Sequence, residues 1–574
     1  MTDSPASPGS LSGETARTPT QIDAVAEEWV VTLAELDPSV ATWIGIPGRL
    51  DEYADLSPAG HGKYLDEAKK ALAKLEAATE VDDVDWVTKT DLASDLTLEI
   101  ESSAVGLWMR DMNVIASPAQ DIRDVLDLMP TDTEQNWVDI AGRLSNLPRA
   151  IEGYIETLRL GIENGVTPAR RQVREVIHQA RKHAAADGFF HDFAAGASLE
   201  DSRELPDSLA AAMASGAQVS AAAYESLANF LADELMPAAQ VQDGVGREVY
   251  ALQSRRFLGA TIDLDETYEW GIDELARMVE EQESIARKIK PGASVLEAIE
   301  FLDTDPSRTL QGTTALREWM QQLSDRAIDE LSRSHFDIPK PLKHLECMIA
   351  PTQEGGIYYT GPSDDFSRPG RMWWSVPEGV TEFNTWRETT TVYHEGVPGH
   401  HLQVGQAVYN RAKLNTWRRQ LAGTSGHAEG WALYAERLMQ DLGYLDDPGD
   451  RLGMLDGQRM RAARVVLDIG VHLGKPRLDG TGIWDWDYAL DFMGKNVNMN
   501  EQFVRFEVNR YFGWPGQAPS YKVGQRIWEQ IRDQYKSAEG ASFNMKEFHR
   551  KALDLGGVGL DTLRTALLKP AQRR

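Results

Sequence analysis

Residues 393–403 read YHEGVPGHHLQ. A histidine-glutamate pair, His394 and Glu395, is followed within two helical turns by two further histidines. This arrangement is typical of zinc hydrolases, in which two imidazoles bind the metal and the carboxylate accepts a proton from water. In the usual motif the two histidines lie about four residues apart on one face of a helix. Here His400 and His401 come six and seven residues after the first histidine, and Pro398 intervenes, so the stretch predicts a zinc site in an interrupted helix.

Helical geometry shows that the interruption must bring a second histidine back beside His394. In a regular helix His400 would point about 120° away from His394, and His401 would lie about 10 Å further along the axis. Pro398 lacks an N–H, and its ring clashes with the carbonyl group four residues earlier, which belongs to His394. With Gly399 behind the proline, the helix can bulge, absorb two residues and return a histidine to the first one. We therefore predict His400 as the second zinc ligand, with His401 as the alternative.

A second helical segment, residues 427–436, supplies the third predicted ligand. It reads HAEGWALYAE, which is rich in helix-forming residues and places Glu429 and Glu436 seven residues apart on nearly the same face. A glutamate that approaches two histidines from a separate helix is the three-ligand pattern of many catalytic zinc sites. The apolar neighbours of Glu429 predict burial, and buried carboxylates are rare unless they are paired or bind a metal. The alternative is a chance histidine-glutamate pair and an ordinary solvated helix face.

Apolar residues at three- and four-residue steps predict helices along most of the chain. The predicted helical segments are residues 21–37, 61–77, 91–109, 133–164, 168–185, 207–235, 267–288, 384–395, 542–555 and 561–568. Two aromatic runs, GGIYY at 355–359 and RMWWSV at 371–376, read as a small sheet or hairpin. We therefore predict a mostly α fold, a large helical body with a central cleft and a small β-hairpin or sheet beside the metal site. Residues 21–340 would form the scaffold and cleft wall, and residues 341–574 the zinc-site region of one continuous helical fold.

Composition and charge narrow the class of protein. The chain has 574 residues, of which 42% are hydrophobic and 26% charged, as in ordinary globular proteins. Its net charge of −30 argues against nucleic acid or an anionic membrane as a partner. Residues 1–20 are predicted to form a disordered tail without the basic start and apolar stretch of a secretion signal. Since no run approaches the ~20 apolar residues of a membrane span, we expect a cytoplasmic protein.

Several motifs resemble the signature of one bacterial family. The motifs are HEGVPGHHLQ at 394–403, EGWALYAE at 429–436, EVNRY at 507–511, PGQA at 515–518 and Tyr521. They are similar to those of the domain-of-unknown-function family 885, and the resemblance covers most of the chain after the first twenty residues. That family is regarded as related to helical glutamate-zinc peptidases such as the Taq-type carboxypeptidases and thimet-type oligopeptidases. The resemblance implies a peptidase with Zn²⁺ as its cofactor.

The resemblance also implies roles for residues outside the metal ligands. In the peptidases that the chain resembles, strands border the cleft and pair with the substrate backbone. The implied substrate-binding residues are Tyr358, Tyr359, Trp373 and Trp374. The alternative is a structural hairpin that caps the helix carrying the first histidine, and both roles can hold.

Residues 507–521 resemble a loop that closes over the metal. Tyr521 or Tyr511 would then stabilise the oxyanion, and Arg510 would bind a substrate carboxylate through two hydrogen bonds. The competing interpretation pairs Arg510 with Glu507, three residues earlier on the same helical face.

A further candidate lies on a helix that includes residues 461–472. Arg464, Asp468 and His472 recur at four-residue steps along one face. An aspartate that accepts a hydrogen bond from the histidine on the next turn would fix its tautomer and raise its basicity. His472 would then donate to the transition state or support the metal site, and the alternative is a satisfied trio on the surface.

Together these features favour a zinc-dependent hydrolase that cleaves short peptides or peptide ends. His394, His400 and Glu429 would bind zinc, and Glu395 would act as the general base. The alternative is a non-enzymatic helical binding protein with a structural or vestigial metal site, in which the sixteen tryptophans would offer stacking surfaces. The glutamate beside the first histidine argues against this alternative, because a structural zinc needs no base.

Overall fold

Helices dominate the fold, which confirms the predicted mostly α class. The computed structural model describes residues 16–199, 203–351 and 356–569. The helices within the first 340 residues are α1 (Gln21–Leu36), α2 (Pro38–Ile44), α3 (Pro58–Ala77), α4 (Asp83–Ala104), α5 (Pro118–Asp124), α6 (Glu134–Asn164), α7 (Arg170–Ala184), α8 (Phe189–Ala195), α9 (Asp207–Phe230), α10 (Met236–Ala238), α11 (Arg247–Leu258), α12 (Leu264–Ile289), α13 (Val295–Asp303) and α14 (Gly312–Ser334). The later helices are α15 (Thr385–Glu395), α16 (His400–Tyr409), α17 (Ser425–Asp441), α18 (Pro448–His472), α19 (Trp486–Asn496), α20 (Glu501–Gly513), α21 (Gln517–Glu539), α22 (Met545–Asp554) and α23 (Leu560–Leu568).

Each predicted helical segment contains an observed helix, and the ends differ where capping residues were overlooked. Helix α4 begins eight residues before its predicted start, because the side chain of Asp82 accepts a hydrogen bond from the backbone N–H of Asp85. Helix α3 likewise begins at Pro58, with Ser57 as its N-cap. The predicted segment 207–235 ends in a π-helical turn, Leu231–Leu235, that follows α9.

Two small sheets complete the described part of the fold. The strands are β1 (Thr309–Gln311), β2 (Leu345–Ile349), β3 (Ile357–Thr360), β4 (Gly370–Trp374) and β5 (Glu382–Asn384). Strands β3 and β4 are antiparallel, as the aromatic runs predict, and β2 adds a parallel strand on the other side of β4. The short antiparallel pair of β1 and β5 was not predicted.

The apolar core crosses the predicted boundary at residue 340. One cluster of buried side chains joins α12 and α14 to α15 and α18, and includes Met278, Leu323, Trp386 and Val466. A second cluster lies between α6, α7 and α9. Within the described ranges, no helix is both long and apolar enough to cross a membrane.

The predicted tail at residues 1–20 falls mostly outside the described residues, since these begin at residue 16. The end of this segment is anchored to the helical body. Arg17 forms ion pairs with Asp23 of α1 and with Asp82 and Asp85 at the start of α4.

The helix that carries the first histidine breaks where Pro398 predicts a distortion. Helix α15 ends at Glu395, and α16 begins at His400. Between them, the backbone N–H of Gly399 donates to the carbonyl oxygen of Tyr393 at 3.1 Å, six residues earlier instead of four. The chain therefore absorbs two residues at the break, as the spacing requires.

The three-stranded sheet supports this break from one side. A Cβ at Gly396 would lie 3.3 Å from Met372 Cε of β4 and 3.4 Å from Leu345 Cδ2 of β2. The sheet therefore packs directly against the interruption, in the position predicted for the strands.

We expect Gly399→Ala to destabilise the protein. A Cβ at this position would lie 1.9 Å from the carbonyl oxygen of His394 and 2.5 Å from that of Tyr393. Both atoms belong to the backbone of α15, so they cannot move without opening the end of that helix, at a cost of about 2 kcal/mol or more. Differential scanning calorimetry should show a lower melting temperature.

Gly62→Ala is the matched control for this variant. Gly62 lies in α3, and a Cβ there would meet nothing within 4 Å. Alanine is favoured over glycine in a helix by about 1 kcal/mol, so the melting temperature should stay equal or rise. Equal melting temperatures for the two variants would contradict the role assigned to Gly399.

Candidate metal centre

The structure brings the three predicted zinc ligands together. His394 lies in the last turn of α15, His400 is the first residue of α16, and Glu429 is in α17. Glu429 Oε2 lies 3.3 Å from His394 Nε2 and 3.7 Å from His400 Nε2. The ligand atoms of the three residues all lie within 4.8 Å of one another.

The chemistry of this donor set fits a divalent cation. His394 Nδ1 donates to Glu436 Oε1 at 2.7 Å, so a cation that displaces the proton from Nε2 meets a lone pair that faces the other two groups. Glu429 Oε2 is buried, and no described residue donates a hydrogen bond to it. Electron-rich atoms that face one point repel each other unless a proton or a cation lies between them. Two imidazole nitrogens and one carboxylate oxygen are ligands that zinc accepts.

The charges of this group reinforce one another. Burial disfavours the charged form of His394, but the carboxylates of Glu429 and Glu436 outweigh this effect and raise the pKa of His394 to about 10. Burial likewise opposes ionisation of Glu429, but the two histidines hold its pKa well below the usual range. The site therefore attracts positive charge.

A buried chain of hydrogen bonds supports the first histidine from behind. Glu436 Oε2 accepts from Gln458 Nε2 at 3.1 Å, and Gln458 Oε1 accepts from Lys522 Nζ at 2.6 Å. Lys522 in turn pairs with Glu274 at 3.0 Å. The chain links α17, α18, α21 and α12, and it fixes the orientation of His394 through Glu436. The sequence indicated that Glu436 shares a face with Glu429, but we predicted no role for it.

His401 does not belong to the candidate set of His394, His400 and Glu429, which we call the metal group, so the alternative ligand assignment is wrong. Its Nε2 lies 2.9 Å from the carbonyl oxygen of Leu342, which can only accept, so Nε2 carries the hydrogen. Its Nδ1 therefore accepts from the hydroxyl of Tyr359 at 3.0 Å. Burial lowers the pKa of His401 to about 4 and keeps the ring neutral. Its role is to fasten the start of α16 to the neighbouring sheet.

Glu395 lies beside the three ligands with a free carboxylate. Glu395 is 7% exposed, and no described side chain or backbone group forms a hydrogen bond with its carboxylate. Burial raises the pKa of Glu395, while the charges of His400, His394 and Arg461 oppose this rise. A buried carboxylate with a raised pKa and open lone pairs has the properties of a general base.

Gly430 and Trp431, which follow Glu429 in the motif EGWALYAE, fix the position of α17 beside the break. A Cβ at Gly430 would lie 2.5 Å from the backbone of Gly524 in α21, so glycine allows the two helices to approach closely. Trp431 is fully buried, and its Nε1 donates to the carbonyl oxygen of Pro398 at 2.9 Å. Trp431 therefore holds the interruption between α15 and α16 in place.

The structure corrects the roles predicted for Tyr511 and Arg510. The Tyr511 hydroxyl donates to Glu507 and accepts from Arg464 Nε at 2.7 Å, and the residue is fully buried. It therefore cannot reach a substrate. Arg510 donates to Glu507 Oε1 at 3.1 Å and to Gln517 Oε1 at 3.1 Å, which is the structural pairing that we had weighed as the competing interpretation.

Tyr521 is the more exposed of the two tyrosines in this segment, and the charge of Glu429 acts on it. It is partly exposed on α21, and burial together with the charge of Glu429 raises its pKa. Its ring lies 5.3 Å from the guanidinium carbon of Arg464. The role of Tyr521 as an oxyanion donor stays a prediction.

His472 is structural, and its predicted partner is wrong. Asp468 Oδ1 accepts from the Tyr250 hydroxyl at 2.7 Å and from the backbone N–H of Gly516 at 3.0 Å, and Asp468 forms no hydrogen bond with His472. His472 Nε2 donates to the carbonyl oxygen of Tyr511 at 2.9 Å. Both side chains are buried, so the surface alternative is wrong as well.

The four aromatic residues of the sheet divide between its two faces. Tyr358 and Trp373 are opposite each other in the register of β3 and β4, with ring centres 6.2 Å apart on the exposed face. Tyr359 points inward and binds His401, and Trp374 is buried. Of the four, only Tyr358 and Trp373 present their rings toward solvent.

Two solved structures are similar to the whole chain. One is a protein from Colwellia psychrerythraea, provisionally described as a lipoprotein, with 22% identity and a TM-score of 0.82 over 95% of this chain and 98% of that chain. The other is a protein of unknown function from Shewanella oneidensis, also provisionally described as a lipoprotein, with 18% identity and a TM-score of 0.73 over 96% of this chain and 100% of that chain. At these identities the likeness shows the fold alone. No curated protein sequence matches the chain.

The motifs around the metal group also match a family model. The model is described as "Bacterial protein of unknown function (DUF885)", and it matches residues 38–567. Because this match covers nearly all of the described residues, the protein belongs to the bacterial family of unknown function 885, the family that its motifs resemble.

Proposed function

We propose that this protein is a zinc-dependent hydrolase that cleaves peptide bonds in short peptides or at peptide ends. The observation that carries the proposal is the convergence of His394, His400 and Glu429 beside Glu395, whose carboxylate stays free. A binding protein with a purely structural metal would have no use for such a carboxylate. The resemblance of the motifs to helical zinc peptidases supports the same reaction class.

Different residues of the chain have different roles in the proposed reaction. His394, His400 and Glu429 would hold the metal, and Glu436 would orient the first histidine. Zinc, when bound, supplies a Lewis acid that activates water and polarises a carbonyl group. Glu395 accepts a proton from the attacking water and transfers it to the leaving amine, a task for which its raised pKa is suited.

Substrate binding is assigned to Tyr521 and to strand β3. The Tyr521 hydroxyl donates a hydrogen bond to the oxyanion that develops on the substrate. β3 is an edge strand of its sheet, so it can pair with an extended substrate backbone beside Tyr358 and Trp373. Backbone pairing of this kind gives affinity with little dependence on substrate sequence.

We expect Glu436→Gln to weaken zinc binding without removing a ligand. The variant removes the charge that accepts the hydrogen bond from His394 Nδ1, and residues that support a ligand in this way typically contribute about 10- to 100-fold in metal affinity. Competition with a fluorescent zinc chelator measures the affinity.

Asp441→Asn is the matched control for this variant, because Asp441 is an exposed carboxylate at the end of the same helix. It should bind zinc as tightly as the wild-type protein. The assignment of Glu436 fails if the two variants have the same zinc affinity.

Glu395→Gln should keep zinc and lose at least about 100-fold in kcat, because it removes the proton acceptor and leaves the imidazoles unchanged. Steady-state cleavage of short peptides, with zinc content measured on the same samples, tests this expectation. A chelator should abolish wild-type activity, and added zinc should restore it. Wild-type turnover by Glu395→Gln would refute the mechanism.

A further inference from the structure

Arg461 is a charged side chain beside the metal group that has no partner. It lies on α18, and its positive charge acts to lower the pKa of both Glu395 and Glu436. Its guanidinium carbon lies 5.9 Å from the centre of the Tyr521 ring. Within the described part of the chain, no group hydrogen-bonds or ion-pairs with this guanidinium, and its Nε is buried.

Two nearby arginines differ from Arg461 in this respect. Arg464, one turn later on the same helix, donates to Glu507 Oε2 at 2.7 Å. Arg510 donates to the other oxygen of Glu507 at 3.1 Å. Both oxygens of this carboxylate are therefore occupied, and Arg461 forms no ion pair with any described residue. A partly buried guanidinium without a direct ion pair has lost water contacts that an incoming anion can replace.

Gly457 makes room for the unpaired guanidinium. A Cβ at Gly457 would lie 2.7 Å from Arg461 Nη1. The side chain of Arg461 therefore folds back over the preceding turn of α18, where both residues are partly exposed. Glycine in a helix interior costs about 0.5–1 kcal/mol relative to alanine, and the space that the guanidinium needs accounts for its presence here.

We propose that Arg461 binds the C-terminal carboxylate of the substrate. A guanidinium presents two parallel N–H donors that match the two oxygens of a carboxylate. This inference rests on the proposed hydrolase and defines its substrates as peptides with a free carboxyl end. The charge of Arg461 acts on Glu395, and a chain advances only about 3.5 Å per residue, so a carboxylate bound by Arg461 would bring one of the last peptide bonds to His394, His400 and Glu429. The protein therefore removes residues from the carboxyl end.

Binding measurements on the full-length, zinc-loaded Glu395→Gln protein test this assignment. The probes are benzoyl-glycyl-phenylalanine and its C-terminal amide, which differ by one charge at the carboxyl end. By isothermal titration calorimetry, the acid should bind at least about tenfold more tightly than the amide. Adding Arg461→Met should remove this preference, and an unchanged preference would overturn the role of Arg461.

Gly457→Ala provides a second variant that leaves the arginine in the chain. An alanine methyl group displaces Arg461 Nη1, the movable end of a flexible side chain, while alanine favours the helix by about 1 kcal/mol. The preference for the acid should therefore decrease while the melting temperature stays equal or rises. A lower melting temperature with an unchanged preference would contradict the proposed contact.

Arg459→Met is the matched control on the same helix. Arg459 Nε donates to Asn496 Oδ1 at 3.2 Å, so this arginine already has a partner. The control should keep the full preference for the acid. Loss of the preference in Arg459→Met as well would show a general charge effect and overturn the specific role of Arg461.

A third probe, the α-amide of benzoyl-glycyl-glutamate, places the carboxylate on a side chain. Weak binding, similar to that of the first amide, would support recognition of the terminal carboxylate. Binding as tight as that of the acid would overturn this assignment in favour of acidic side chains.

Failure of the hydrolase and failure of the arginine assignment give different results. If the wild-type protein cleaves neither probe but the Glu395→Gln protein still prefers the acid, the hydrolase is refuted and the carboxylate site stands. If the wild-type and Arg461→Met proteins cleave acid and amide equally well, the hydrolase stands and the carboxylate site is refuted.

Discussion

A proline cannot continue an α-helix, and the metal group of this protein depends on that constraint. Pro398 has no N–H to donate, and its ring excludes the carbonyl group of the preceding turn. The hydrogen-bond ladder resumes only after two extra residues, when Gly399 donates to Tyr393. The end of one helix and the start of the next then carry the histidines that face each other. In an unbroken helix His394 and His400 would point in different directions.

Hydrogen bonds from neighbouring elements hold the break in place. Trp431 binds the carbonyl oxygen of Pro398, and His401 is held by Leu342 and Tyr359. Three charged groups that the proposed chemistry uses form no hydrogen bond among the described residues: Glu429 Oε2, the carboxylate of Glu395 and the guanidinium of Arg461. Some neutral buried atoms on the same helices, such as Gln403 Oε1 and His427 Nε2, also lack a partner. Charged groups without hydrogen bonds, gathered beside the candidate ligands, are what the proposed hydrolase requires.

Local sequence patterns predicted the parts of this site that depend on local geometry. The six-residue spacing around Pro398 was enough to predict a break that absorbs two residues. The same patterns failed where partners come from distant parts of the chain. Asp468 and His472 share a helix face, but the aspartate binds Tyr250, which is 218 residues away in sequence. Equally, nothing local to Tyr511 shows that Arg464, 47 residues earlier in the sequence, donates to its hydroxyl, because helical periodicity indicates the face of a residue and not its partner on another helix.

The position of the metal tests the account most directly. Crystals of the zinc-loaded protein, with diffraction recorded on both sides of the zinc absorption edge, locate the ion independently of any model of the site. The account predicts one strong anomalous peak about 2.0–2.2 Å from His394 Nε2, His400 Nε2 and a Glu429 oxygen, with His401 still bound to Leu342. A peak at His401, or zinc-saturated crystals with no peak between α15, α16 and α17, would contradict it.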